Sequence, residues 1–340
     1  MAIKSDRLKY IDFLRGLAIL LVILGHAIQF SDEKASSANI LYCFIYSFHM
    51  PLFMFLSGFV SGYKDYLDIR DFKKRALQLL VPFFCWPFAV GLTDWNNFSF
   101  QIYPHIVDKP DCGLWFLWVL FFIFAIFVGC SYLSKWSKIK IEYLTGAIAI
   151  MLPGIYMITR YNHFGFAQIS WQFVFFWLGY ILQKKEPILF FITKKWFYVV
   201  LLFVVLFVSK YALDHSVYQS AAAYLPSIAI KSIEYFFNVV VAICGIAMSY
   251  GLLRYIYENR QLQASLWGRV EYLGQISLGI YAIQFSILNL FIQSFMGLPL
   301  PAVITLSFIL STILSVCIVQ GMLHNRYLSF LLLGKKQIKI

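Results

Sequence analysis

The stretch YIDFLRGLAILLVILGHAIQF, Tyr10 to Phe30, decides the fold. It is long enough to cross a bilayer, which takes about 20 residues of apolar helix. Yet this almost wholly apolar run carries Arg15 and His26, eleven residues apart. Eleven residues at about 100° each make three turns plus roughly 20°, so on a helix both side chains lie on one face, about 16 Å apart along the axis. An ionisable side chain at membrane depth costs roughly 2.5–3.5 kcal/mol even on lenient insertion scales, and one that persists usually faces the bundle interior and marks a substrate or ion path. Singly, Arg15 reads equally as a snorkelling anchor near the helix start, and His26 as a polar spot near the far interface. Together on one face they read as a polar track through a helical bundle.

Composition agrees. Of 340 residues, 61% are hydrophobic, 19% aromatic and only 13% charged, with a mean hydropathy of +0.74, whereas a soluble domain holds about 25% charged residues. Runs of about 20 apolar residues give ten spans, starting near Ile11, Ile40, Ala76, Gly113, Ile141, Phe166, Phe197, Leu225, Tyr272 and Leu300. Pro82, Pro87 and Pro153 interrupt the third and fifth, which is tolerated where neighbouring helices satisfy the released backbone groups. The expected fold is all-α, a polytopic transmembrane bundle of about ten helices.

Loop charge tests that count, because Lys and Arg accumulate in short cytoplasmic loops. Alternate segments hold Lys4, Arg7 and Lys9; Lys64, Arg70, Lys73, Lys74 and Arg75; Lys135, Lys138 and Lys140; Lys184, Lys185, Lys194 and Lys195; Arg254, Arg260 and Arg269; then Arg326, Lys335, Lys336 and Lys339. The loops between hold only Lys34, Lys109, Arg160 and Lys210. The pattern never inverts along the chain, and it places both termini in the cytoplasm.

The net charge of +12 is therefore topological, and no nucleic-acid partner is expected, since no aromatic and basic platform stands in a soluble segment. The first run is long and lacks a small-residue cleavage site, so it is expected to stay as a helix. The six cysteines, at 43, 85, 112, 130, 244 and 317, show no CxxC spacing, which suggests small buried residues, no structural disulfide and no metal. The longest loops, Thr93 to Cys112 and Tyr257 to Glu271, are too short for another domain. Residues 1–340 are expected to form a single integral-membrane domain with membrane lipid as its solvent.

Further polar residues stand in or beside the spans. Phe48-His49-Met50-Pro51-Leu52-Phe53 precedes Ser57-Gly58. Pro51 lacks an N–H and disturbs the turn before it, leaving carbonyls near Ser47 to face a cavity. His49 beside that break is either one satisfied histidine in a kinked packing helix or a partner for His26 at similar depth. Histidine titrates near neutrality and suits proton abstraction from a hydroxyl. Lys73, Lys74 and Arg75 signal topology or hold an anionic cofactor. Trp115 and Trp118 open the fourth span as an interfacial belt, or Trp115 contributes to substrate binding. Lys231 and Glu234, with Asn238 a turn further, read as a self-neutralised pair or as a substrate-binding patch.

Several of these motifs resemble the membrane acyltransferase-3 family. Arg15 with His26 resembles its Arg-x10-His first helix. His49-Met50-Pro51-Leu52-Phe53 with Ser57-Gly58, Leu114-Trp115-Phe116-Leu117, Phe176-Trp177-Leu178-Gly179-Tyr180 and Ser277-Leu278-Gly279-Ile280-Tyr281 are similar to its second-, fourth-, sixth- and ninth-helix motifs. The resemblance implies transfer of an acyl group, usually acetyl from acetyl-coenzyme A, to a hydroxyl of a cell-surface glycan or lipid-linked sugar, at the inner membrane of a bacterium. It implies no permanently bound cofactor. His26 is then the base, with Arg15 orienting the donor or supporting the track and His49 beside them, while Arg75 with Lys74 or Lys73 would contact coenzyme A. Two positions depart from the family pattern: Gln78 stands where members often have a second arginine, and Gln284 where many have a histidine. No hydrolase-like domain is expected after the bundle. A transporter or flippase for a lipid-linked sugar is the competing class; it would favour inverted repeats, and the first two helices have no counterparts in the second half.

Overall fold

The computed structural model describes residues 2–32, 38–91, 108, 114–213, 227–259, 264–295 and 297–335. The loop Thr93 to Cys112 apart from Asp108, together with Lys34, His215, Arg260, Lys336 and Lys339, lies outside the described residues. Among the described residues the secondary structure is helical, without strands. In chain order the helices are α1 (Ala2–Ser31), α2 (Ile40–Tyr46), α3 (His49–Ser61), α4 (Ile69–Gly91), α5 (Trp115–Ser137), α6 (Ile141–Thr159) and α7 (Phe166–Leu182). They continue with α8 (Glu186–Lys194), α9 (Trp196–Leu213), α10 (Ser227–Glu258), α11 (Ala264–Ser294), α12 (Leu300–His324) and α13 (Arg326–Leu333).

Each of the ten apolar runs falls on one of these helices, with α2 and α3 together forming the second span. Seven spans are long and apolar enough to cross a membrane, and an eighth arises if α8 and α9, bent by 81°, count as one. The other two fall short for physical reasons. α7 has 17 residues, and α4 begins with Arg70, Asp71, Lys73, Lys74 and Arg75 and contains Pro82 and Pro87. The bend before α9 is absent from the sequence reading, which leaves residues 186–194 in a loop.

The break foreseen near Ser47 lies between α2 and α3, where Phe48 has φ −146°. Pro51 occupies the first turn of α3, where a missing N–H costs no hydrogen bond. α1 is the central helix, with Tyr10, Ile11, Leu14, Ala18, Ile19, Val22, Ile23 and Ala27 all buried. It packs along α11, and α3 packs along α7. Both crossings are close because glycine meets backbone. A Cβ at Gly16 would lie 2.0 Å from the Val270 carbonyl oxygen and one at Gly274 would lie 1.8 Å from that of Asp12. Gly58 and Gly179, one from each of two sequence motifs, do the same between α3 and α7, at 1.9 Å from Phe176 O and 2.0 Å from Phe55 O. In lipid, where apolar burial gives no advantage to helix contact, such small residues let backbones approach and pack. α6 and α12 instead turn mostly outward, exposing residues such as Ile150, Met151, Ile309 and Ile313.

Candidate active site

The N-terminal half of α1, the second and third turns of α4 and the middle of α11, together with residues of α3 and α5, surround a cavity of about 340 Å³ toward the bundle end that carries the basic loops. Arg15 lines it from α1, with its Nη1 3.6 Å from Asp12 Oδ1, one turn earlier. Arg75 lines it from α4, its guanidinium carbon 5.7 Å from the centre of the Phe124 ring. Gln78, Gln275, Ser277 and Tyr281 add polar walls, and Lys335 enters from the residues that follow α13. The Lys335 ammonium donates to the Gln275 carbonyl at 2.8 Å. Burial pulls its pKa below the ordinary lysine range, against the opposing pull of Asp12. Three basic side chains thus face one carboxylate. A cavity with that charge excess in a low-dielectric surround favours an anionic ligand.

Farther along α1, α2 and α3 build a second polar cluster. His26 Nδ1 lies 3.0 Å from the Tyr46 hydroxyl and 3.1 Å from Gln29 Oε1. The Tyr46 hydroxyl donates to the same Gln29 oxygen at 2.7 Å. That hydroxyl proton is committed and the amide oxygen only accepts, so His26 Nδ1 carries its proton and Nε2 keeps its lone pair. His49, 3% exposed, donates from Nδ1 to the Ile45 carbonyl at 2.8 Å, the acceptor opened by the break before α3. It likewise presents an unprotonated Nε2. Tyr46 stands between the histidines, its ring centre 6.1 Å from that of His26 and 4.7 Å from that of His49. Phe285 of α11 covers His26 at 4.5 Å.

The two clusters are neighbours. Tyr281, one turn before Phe285, lines the cavity and accepts the Phe116 N–H at 3.4 Å. Met50, next to His49, lines the same cavity. The polar track read from the spacing of Arg15 and His26 is a cavity at one end, an imidazole pair at the other, and a tyrosine between.

Other residues singled out from sequence lie apart. Lys73 and Lys74 are exposed. The cavity face of α4 is Arg75, Gln78 and Leu79, an i, i+3, i+4 stripe; round the helix from Arg75, Lys74 is turned by about 100° and Lys73 by about 160°. Trp115 stands one residue before Phe116, which with Leu120 faces the cavity; its indole packs on Phe116, with centroids 6.2 Å apart. Lys231 and Glu234 are exposed on α10, away from the cavity. Gln284 is fully buried, with neither carboxamide atom hydrogen-bonded. Tyr46, Gln29, Asp12 and Gln275 are not among the residues singled out from sequence, and Lys335 stands there only as a topology charge. Gln29 was findable, because it follows His26 by three residues and so shares its helix face.

The comparisons with known proteins bear on the family. The family model described as an acyltransferase domain matches residues 8–320. Nodulation protein NolL of Mesorhizobium japonicum is 27% identical over 310 residues, covering 82% of this chain and 76% of the relative. Nodulation protein NolL of Sinorhizobium fredii is 29% identical over 187 residues, covering 51% and 48%. No solved structure matches the chain significantly. A match across 8–320, on a chain whose described residues include seven or eight helical spans of membrane length, means that this chain belongs to the acyltransferase-3 family and is a multi-pass membrane acyltransferase.

Proposed function

We propose that the bundle is an O-acetyltransferase that moves acetyl from acetyl-coenzyme A to a hydroxyl of a cell-surface glycan or lipid-linked sugar, in a bacterial inner membrane with both termini cytoplasmic. The observation that carries this reading is the convergence of Arg15, Arg75 and Lys335 on one cavity whose lining reaches Met50, the neighbour of His49, and Tyr281, one turn from the Phe285 that packs on His26. A cytoplasmic donor rich in phosphate binds the basic end, and its thioester arm follows the track toward His26. His26 Nε2 takes the proton of the acceptor hydroxyl as its oxygen attacks the thioester carbonyl. The tetrahedral intermediate collapses, the C–S bond breaks, and the thiolate leaves with the proton that the imidazole returns. The acetyl ester and coenzyme A are the products. His49, oriented by Ile45, is a second lone-pair donor to the reacting region. Incorporation of label from radiolabelled acetyl-coenzyme A into glycan, in membranes with and without the protein, tests the reading; equal incorporation rejects it.

Two predictions follow for the donor end. If Arg75 contacts a donor phosphate, Arg75→Gln removes a charge-assisted hydrogen bond and should weaken the half-saturation for acetyl-coenzyme A by about tenfold or more, the equivalent of roughly 1.5–3 kcal/mol. Arg75→Lys should recover only part, because a point charge does not reproduce the guanidinium fork. Titration of inside-out vesicles reads both, and an unchanged half-saturation in Arg75→Gln returns the residue to a topology signal. Orientation is tested separately. In a variant without native cysteines, cysteine at the exposed position of Tyr161 should react with an impermeant thiol reagent from outside, and cysteine at Lys140 or Lys185 should not. The opposite labelling would place the basic end outside.

A further inference from the structure

The donor cavity has a wall that comes from beyond the family-matched region. The match ends at residue 320, and α13 with the two residues after it supplies Leu333, Gly334 and Lys335 to the cavity. This segment is built in place. Asn325 caps α13 by accepting from the N–H groups of Tyr327 at 2.9 Å and Leu328 at 3.2 Å. The Trp86 indole donates to the Leu332 carbonyl at 2.8 Å, tying α13 to α4. Gly334 ends the helix at φ +62°, where a Cβ would lie 2.3 Å from the Gln78 carbonyl oxygen. Only glycine permits both that conformation and that approach. Beyond the turn, the Lys335 N–H donates to Ser329 O at 3.0 Å, and Ser329 Oγ donates to Lys335 O at 3.2 Å.

The turn therefore fixes where the Lys335 ammonium stands. One of its three N–H groups donates to Gln275 O, leaving two for an anion. Gln78, one turn after Arg75 on the cavity face of α4, brings no charge to this wall, and Gly334 packs directly against it. We infer that Lys335 is a phosphate ligand for the acyl donor, delivered by the α13 turn to the wall that Gln78 leaves uncharged. The inference rests on the donor reading proposed above. A lysine depressed by burial is also one that a bound anion recharges, in the sense that an opposite charge favours the charged form.

The test uses the purified full chain, with coenzyme A and the phosphate-free pantetheine as competitors of acetyl-coenzyme A. Lys335→Met should weaken coenzyme A by about tenfold, the cost of one charge-assisted hydrogen bond, while leaving pantetheine unchanged. Lys335→Arg should retain most of the affinity. Gln78→Arg added to Lys335→Met should restore coenzyme A binding, because it returns a cation to the same wall. Were Lys335 only a latch for the chain end, Lys335→Met would lower the melting temperature and weaken both competitors alike, and Gln78→Arg would restore nothing; that result overturns the inference. Undiminished coenzyme A binding by Lys335→Met, with Arg75→Gln still impaired, overturns it while sparing the donor reading. Failure of the wild-type chain to bind coenzyme A overturns both.

Discussion

Replacing His26 by alanine is expected to lower the transfer rate by about 10²–10⁴, the usual loss when a positioned general base is removed. His26→Asn sharpens the test. An asparagine amide stands near the position of Nδ1, so it can keep a hydrogen bond to Tyr46 or Gln29, which now hold the ring at 3.0 and 3.1 Å. It offers nothing at the position of Nε2. Both variants should insert normally, at levels matched by quantitative immunoblot, and both should be inactive. Acetyl incorporation near the wild-type rate in either one would remove His26 from the mechanism. Loss of inserted protein in alanine but not in asparagine would mean that the Tyr46 and Gln29 bonds stabilise the helix crossing as well. The effect should lie in turnover, because in the proposed mechanism the acyl donor binds at the far end of the track, about 16 Å along α1 by helical rise.

Much of this arrangement was legible in the sequence, and what was not has physical causes. The spans were readable because lipid demands about 20 apolar residues for each crossing; each of the ten runs falls on a helix. The break before His49 was readable because Pro51 has no N–H to give. The shared face of Arg15 and His26 was readable because helical periodicity is local. Convergence between distant segments is not local. Lys335 shares a cavity with Arg15 only because α13 folds back onto α4 through Trp86 and Gly334, and in a hydropathy profile it is one more basic residue beyond the last span. Lys231 and Glu234 carried the same signal as Arg15, an ionisable pair in an apolar run, yet they are exposed on α10. Spacing identifies a face of a helix, but which face meets the cavity is decided by packing. The 81° bend between α8 and α9 was hidden for a similar reason, since no proline or glycine marks Lys195.

The second large effect is expected where Gly16 and Gly274 let α1 and α11 pack backbone to backbone. α11 contains Gly268 and Gly274, six residues apart on one helix, and their surroundings differ completely. A Cβ at Gly274 would stand 1.8 Å from the Asp12 carbonyl oxygen and 2.6 Å from its carbon, whereas at Gly268 nothing lies within 4 Å. The obstruction at 274 is backbone, so no rotamer change relieves it and α1 must move off α11. That movement opens the donor cavity, because α1 provides Asp12 and Arg15 while α11 provides Gln275 and Ser277. Gly274→Ala should therefore cost about 3 kcal/mol or more, at the upper end for overpacked sites, and abolish acyl-donor binding in whatever fraction still folds. Gly268→Ala should be neutral or stabilise by about 0.5–1 kcal/mol, the ordinary gain of alanine over glycine inside a helix. Thermal unfolding of both variants in detergent, with coenzyme A affinity measured below the transition, provides the comparison. Equal behaviour of the two would show that α1 and α11 do not meet at this register, and the cavity that depends on their contact would have to be redrawn.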